Sequence, residues 1–224
     1  MLPRCGSLAN LLQSGTSDRP CGQVKMLSMP DYICQRAVMI VPGPDADTPT
    51  VRVADAGDAA AIASIYSEHV RSGTATFDTE PRSEMETAQK IADIQARGWP
   101  FLVATKGDQV VGYAYVTQFR DRAAYRFTCE DSVYVRSNQV GNGVGTILMH
   151  ALIDASTRSG FRQMMAVIGG GAPGSVALHS KMGFVHAGRM RSVGRKFGHW
   201  LDTVYMQVEL GEGDRTPPDE HMAR

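Results

Sequence analysis

The chain has 224 residues, 43% of them hydrophobic, which suits one domain with a sizeable core plus some extra sequence. Lys and Arg total 23 and so do Asp and Glu; this zero formal charge argues against nucleic acid or an anionic membrane as partner, because both call for a basic excess. Cys5, Cys21, Cys34 and Cys129 form no C-x-x-C pair and no apolar run nears the roughly 20 residues of a bilayer span, so the expectation is a cytoplasmic protein without a metal, a disulfide framework or a membrane anchor.

Residues 1–49 are rich in Pro, Gly and Ser and keep no period, and the stretch from Pro42 to Pro49 reads as a linker. Disorder, or extra sequence from an upstream start (Met26, Met29 and Met39 lie inside it), is the expectation for this leader. A targeting peptide is the alternative, since Arg4, Arg19, Lys25 and Arg36 outnumber Asp18 and Asp31, but an amphipathic arginine pattern is missing. From Val51 the pattern tightens. Val51–Val53 is a short strand, and Asp55 or Asp58 caps a helix that buries Ile62, Ile65 and Tyr66. Ser83 and Glu86 have the spacing of a capping box on a second helix, with Ile91 and Ile94 inward. Strands at Phe101–Ala104 and Gln109–Val116 flank a Gly107-Asp108 turn and form a hairpin. Ser132–Val135 is a further strand, Gly143 to Ser159 an amphipathic helix with Ile147, Leu148, Leu152 and Ile153 inward, and Met164–Ile168 a buried strand. A short helix over Val176–Met182 and a last strand over Trp200–Leu210 close a domain spanning 50–211, with 212–224 as a flexible tail. Strands and helices mix without strict alternation, so the fold class is α+β, or mixed α/β.

The most informative stretch is Val133-Tyr134-Val135 followed by Gln139-Val140-Gly141-Asn142-Gly143-Val144-Gly145-Thr146. A strand ends, a glycine-rich turn follows, and a long helix begins. Glycines let a ligand approach the backbone, and the helix start adds free N–H donors and partial positive charge, so the turn suits a pyrophosphate without needing a lysine. The bland reading is a tight turn that merely needs glycine, and three glycines at alternate positions make it the weaker one. Thr146 breaks the G-x-G-x-x-G pattern of dinucleotide folds, and no Gly-Lys-Ser/Thr of a P-loop follows.

On these residues the chain resembles the GNAT acetyltransferase superfamily, whose pyrophosphate loop reads Gln/Arg-x-x-Gly-x-Gly/Ala after a central strand. The resemblance runs from Val51 to about Leu210. It narrows to the phosphinothricin and methionine sulfoximine acetyltransferases through Thr76-Phe77-Asp78-Thr79-Glu80-Pro81, Glu130-Asp131-Ser132-Val133-Tyr134-Val135, Leu178-His179-Ser180-Lys181-Met182-Gly183-Phe184 and the string from Gly194 to Asp202. It implies a GNAT-like twisted mixed sheet flanked by helices, splayed between Ser132–Val135 and Met164–Ile168 so that acetyl-CoA lies in the gap. Val133, Tyr134, Val135, Val140, Gly141, Asn142, Gly143, Val144, Gly145, Thr146 and Ser175 would face the cofactor. Two positions depart from the family pattern: Val140 stands where many members carry Arg, and Ala172 where an Asn often contacts CoA.

Acetyl transfer needs a neutral amine, a polarised carbonyl and a protonated leaving thiolate. The resemblance makes Glu130 the general base and His179 the group that protonates the sulfur or relays the amine proton; without it, a strand-end carboxylate and a core histidine are the plainer readings. Arg120, Arg122, Tyr125 and Arg126 beside the catalytic strand suit the carboxylate of an amino acid, against the default of a solvated charged loop. Phe77 is the expected apolar wall. Lys196, His199 and Trp200 look like pocket scaffold and dimer contact, since this branch implies a homodimer. The function expected is acetyl transfer to the amine of a small amino acid or analogue. The alternatives are an acyl-CoA-binding regulatory module, or a transferase acting on a polyamine or a peptide N-terminus.

Overall fold

The structure, a computed structural model, describes residues 48–220, so the expectations for the leader before Thr48 and for the last four residues lie outside it. Seven strands form one sheet: β1 (Thr50–Val53), β2 (Phe101–Lys106), β3 (Gln109–Gln118), β4 (Thr128–Val135), β5 (Gln163–Gly169), β6 (Val185–Lys196) and β7 (His199–Glu209), in the order β1-β2-β3-β4-β5-β7-β6. All neighbours are antiparallel except β4 and β5, which are joined by α3 (Val144–Arg158) as a crossover helix. The other helices are α1 (Ala59–Ser72), α2 (Glu84–Ala96) and α4 (Pro173–Lys181). This is the mixed α/β class expected.

Local sequence sets the helix starts. The Asp55 carboxylate accepts from the Gly57 amide at 2.8 Å and Asp58 accepts from the Asp55 amide at 2.9 Å, so both expected caps act at the same entry. Asp58 is also gripped by Arg52 through two bonds of 2.7 Å. Ser83 and Glu86 form the reciprocal capping box of α2.

Strand alternation then decides what lies above and below the sheet. Gly112, Ala114 and Val116 of β3 pair with Val135, Val133 and Asp131 of β4, and a Cβ on Gly112 would meet Val144 and Leu148 of α3. Tyr113, Tyr115 and Thr117 pair with Tyr134, Ser132 and Glu130, and Tyr66 of α1 packs edge-on against Tyr134. Hence α1 covers the Glu130 face, and α3, with α4 against it through Leu178, covers the Asp131 face.

Ile62, Ile65, Tyr66, Ile91 and Ile94 are buried as expected. On α3, Leu148 and Leu152 are buried, but Ile147 and Ile153 are only half-buried; Val144 and Met149 take the inward positions. β4 begins at Thr128, upstream of the expected start, and the whole of β6 went unread because nearly all of it is exposed. Residues 212–220 pack back on the domain: the Arg162 guanidinium donates to the Thr216 hydroxyl at 2.8 Å and the Pro217 carbonyl at 3.0 Å. Among the described residues no helix is long and apolar enough to cross a membrane, and no cluster of His, Cys, Asp and Glu could hold a metal ion.

Candidate active site

The parallel ladder between β4 and β5 has three residue pairs, Thr128–Gln163, Cys129–Met164 and Glu130–Met165. Beyond Glu130 the two strands part, although β4 runs on to Val135 and β5 to Gly169. The expected gap therefore exists, and Glu130 stands at its fork. Backbone groups on the open side of β4 have no strand to pair with. One of them, the Val135 carbonyl, lies 2.9 Å from His69 Nε2 of α1, a residue sequence reasoning passed over.

Below the gap lies the glycine turn. Gly141 and Gly143 sit at φ 87° and 82°, a left-handed conformation costly for other residues. Gly145 serves packing instead: a Cβ there would come within 3.1 Å of Leu178 on α4. The three glycines thus answer to two requirements, a turn that exposes amides at the start of α3 and a close α3–α4 contact. A cleft of about 500 Å³ opens over this turn, bordered by Val133, Val135, Gly143, Thr146, Ser175 and Leu178 among others. Val140, Gly141, Gly145 and Tyr134 also border it; Val140 is 65% exposed, and Ala172 lies at the edge where α4 begins. Asn142 is exposed in the turn, and Val144 is buried under it.

A second cavity, of about 240 Å³, occupies the fork itself and passes between the two faces of the sheet. Glu130, Ser132 and Tyr134 line it from the α1 face, Asp131, Ser175 and His179 from the α4 face. Burial pushes the Glu130 carboxyl up to about 7, Asp131 adds to the rise, and Arg120 and Lys90 partly offset it. A carboxyl so placed is half ionised near neutrality, which suits proton abstraction. Phe77 also lines this cavity. Its ring lies against Gly194 of β6, where a Cβ would fall 2.3 Å from the ring. The segment before Phe77 is tied down by the buried Lys196 ammonium, which donates to the Thr76 carbonyl at 2.9 Å.

His179 is 2% exposed. Its Nε2 lies 3.1 Å from the Asp131 carboxylate, and its Nδ1 lies 2.7 Å from the Ser175 carbonyl and 3.3 Å from the Ser175 hydroxyl. A carbonyl and a carboxylate both accept, so an imidazolium, with a proton on each ring nitrogen, satisfies both contacts. Burial alone would lower the imidazole's pKa; the bond to Asp131, its charge and the Ser175 carbonyl outweigh that and raise it. Both ring nitrogens are thus engaged by protein partners, while the ring itself borders the fork cavity. Asp131, which sequence reasoning quoted but did not single out, is the partner that decides this.

Of the loop residues, none borders the fork cavity. Arg120 stacks over Phe119 yet is close enough for its charge to act on Glu130. Arg126 is paired with Glu220, Tyr125 packs edge-on against Phe119, and Arg122 is exposed. His199 and Trp200, on the exposed β6–β7 hairpin, also lie outside the cavity.

A mixed sheet parted at one parallel seam, with a glycine turn under the opening and a carboxyl raised to about 7 at the fork, is the arrangement expected of an acyl-group transferase of the acetyl-CoA type. Residues 51–205 match the family model for the acetyltransferase (GNAT) domain. The phosphinothricin N-acetyltransferase of Alcaligenes faecalis is 46% identical over 171 residues, covering 76% of this chain and 87% of that protein. The L-methionine sulfoximine/L-methionine sulfone acetyltransferase of Pseudomonas paraeruginosa is 39% identical over 163 residues, covering 72% and 94%. A crystal structure of a GNAT superfamily phosphinothricin acetyltransferase from Sinorhizobium meliloti in complex with acetyl-CoA superposes with a TM-score of 0.76 at 46% identity, covering 78% of this chain and 95% of that one. The chain belongs to the GNAT acetyltransferase family.

Proposed function

We propose that the protein moves an acetyl group from acetyl-CoA to the α-amine of a small amino acid or analogue of the phosphinothricin and methionine sulfoximine kind, by direct transfer with Glu130 as general base. The observation that carries this reading is the Glu130 carboxyl, raised to about 7 at the point where β4 and β5 part. The cofactor's pyrophosphate would take the amides of Gly141–Thr146, and its pantetheine arm would run along the open edge of β4 from Val135 to Val133, past Ser175. That path brings the thioester into the fork cavity. The amine enters from the α1 face, where Glu130 removes a proton, directly or through one water. Phe77 forms the apolar wall. Arg120, whose charge already acts on Glu130, holds the carboxylate end of the acceptor, with Arg122, Tyr125 and Arg126 forming the rim of its entrance. The active unit is a homodimer joined through the β6–β7 hairpin, which exposes Met190, Val193, Phe197 and Trp200.

Release of free thiol from acetyl-CoA, followed across a panel of amines, tests the assignment. Turnover is expected with phosphinothricin or methionine sulfoximine and weak or absent with polyamines and peptide N-termini. Saturable CoA binding with no turnover on any amine would leave a binding module in place of an enzyme. Turnover confined to amines lacking a carboxylate would remove the amino-acid assignment alone.

A further inference from the structure

The reaction proposed above leaves a thiolate that must take up a proton, and both nitrogens of the buried His179 imidazole nearby are already engaged by protein partners. Four residues border both the cleft over the glycine turn and the cavity at the fork: Ala75, Val133, Tyr134 and Ser175. Two of them carry a hydroxyl. Tyr134 lies on the α1 face, packed among Tyr66, His69 and Tyr113. Ser175 lies on the α4 face, its oxygen 3.3 Å from His179 Nδ1. Behind it, His179 is held by Asp131 at 3.1 Å, with both side chains almost wholly buried, and the second Asp131 oxygen has no hydrogen-bond partner.

We propose that Asp131, His179 and Ser175 form a proton relay, in which the Ser175 hydroxyl protonates the leaving thiolate and His179 replaces the proton from behind. The inference rests on the acetyl-transfer reading. In the step, the amine nitrogen forms its bond to the thioester carbon and its proton passes to Glu130. The C–S bond breaks and its electron pair stays on sulfur. The Ser175 O–H proton moves to that sulfur, and the Nδ1 proton, which lies between the Ser175 carbonyl at 2.7 Å and the Ser175 hydroxyl at 3.3 Å, swings to the hydroxyl oxygen. His179 is left neutral, its remaining N–H on Nε2 still donated to Asp131. A proton from solvent returns to His179 and Glu130 gives one up, so amine and thioester become amide and thiol with no other reagent. Ser175 is the catalytic residue in this scheme, and Asp131 and His179 position and supply its proton.

The groups around the ring make the relay's pH dependence specific. From β4 it faces Asp131, with Glu130 the next residue on the opposite face of the strand; Phe184 packs edge-on at 4.9 Å. The facing stretch of β5, 163–169, has no ionisable side chain, and on α4 itself Lys181 borders the cleft. A charged imidazole is the loaded form, so its loss at high pH gives an alkaline limb.

Steady-state kinetics of the full chain with Ser175→Ala, Ser175→Thr and Asp131→Asn test the relay, alongside CoA binding by calorimetry. Ser175→Ala is expected to lower kcat about 100-fold, the lower end for a lost general acid, with CoA affinity nearly unchanged and the alkaline limb flattened. Ser175→Thr keeps a hydroxyl and is expected to recover most of the rate. Asp131→Asn removes the charge that holds the imidazolium, so the alkaline limb should move down by roughly one pH unit or more. A Ser175→Ala enzyme with weaker CoA binding but an intact kcat would make Ser175 a cofactor contact and overturn the relay. So would an unmoved alkaline limb in a folded Asp131→Asn, or a rate lost in Tyr134→Phe while Ser175→Ala keeps its own. Wild-type enzyme inactive on every amine would instead sink the acetyl-transfer reading and the relay with it.

Discussion

At the scale of single residues, Glu130 carries the sharpest expectation. A base must be ionised to act, and burial beside Asp131 lifts its carboxyl to about 7, so kcat/KM should fall as the pH drops through that value. Glu130→Gln should lower kcat by about 100-fold or more and abolish that acidic limb, because no carboxyl remains to titrate; a pH–rate profile from 5 to 9 checks both. An acidic limb that survives the substitution would assign it to another group. Glu130 was legible in the sequence only with the family strings beside it; read alone, it is a carboxylate at a strand end. Asp131 was not legible, for a physical reason. Neighbours on a strand point to opposite faces, and the imidazole that Asp131 contacts, His179, lies 48 residues further on. The loop arginines show the reverse: their charge was obvious, yet Arg126 is engaged by Glu220, a partner far along the chain.

At the scale of elements, the turn into α3 was read from composition, and its geometry shows why three glycines stand there. Gly143 at φ 82° holds a backbone that a Cβ would strain. Gly143→Ala should cost about 1–2 kcal/mol of stability and weaken CoA binding while leaving the Glu130 titration in place; thermal melts and calorimetry separate the two effects. Unchanged CoA affinity in this variant would move the pyrophosphate away from the turn. Capping boxes and the β2–β3 hairpin were equally plain, because each is written in residues close together. β6 was not. Its run of Gly188, Arg189, Arg191, Ser192, Gly194 and Arg195 has no alternation to read, since the strand is exposed along almost its whole length and is held by backbone pairing to β7. A bulge between Met190 and Gly194 adds to this, with Ser192 at φ 53° and its amide donated to Asp202 at 2.8 Å.

At the scale of the whole molecule, the β6–β7 hairpin leaves Phe197 53% and Trp200 66% exposed, large apolar groups that a lone domain would ordinarily cover. Sedimentation at micromolar concentration should find a dimer, and Trp200→Glu should shift it to monomer without unfolding it; a wild-type monomer would refute the shared hairpin. The fork has a different consequence. Only three parallel residue pairs, from Thr128 to Glu130 and from Gln163 to Met165, stitch the four-stranded half β1–β4 to the three-stranded half β5-β7-β6. The sheet is therefore zipped at one end and open at the other, and on the proposed path an extended cofactor arm would take the place of the missing ladder. CoA should act as a reversible structural strut as well as a donor. At 100 times its dissociation constant it would stabilise the fold by about 2.7 kcal/mol, and the slowing of amide hydrogen exchange should concentrate in residues 131–135 of β4 rather than spread through β1 and β2. Each release of product would then unlock the seam between the two half-sheets, so that the step that empties the site is also the step at which the molecule is least tightly joined.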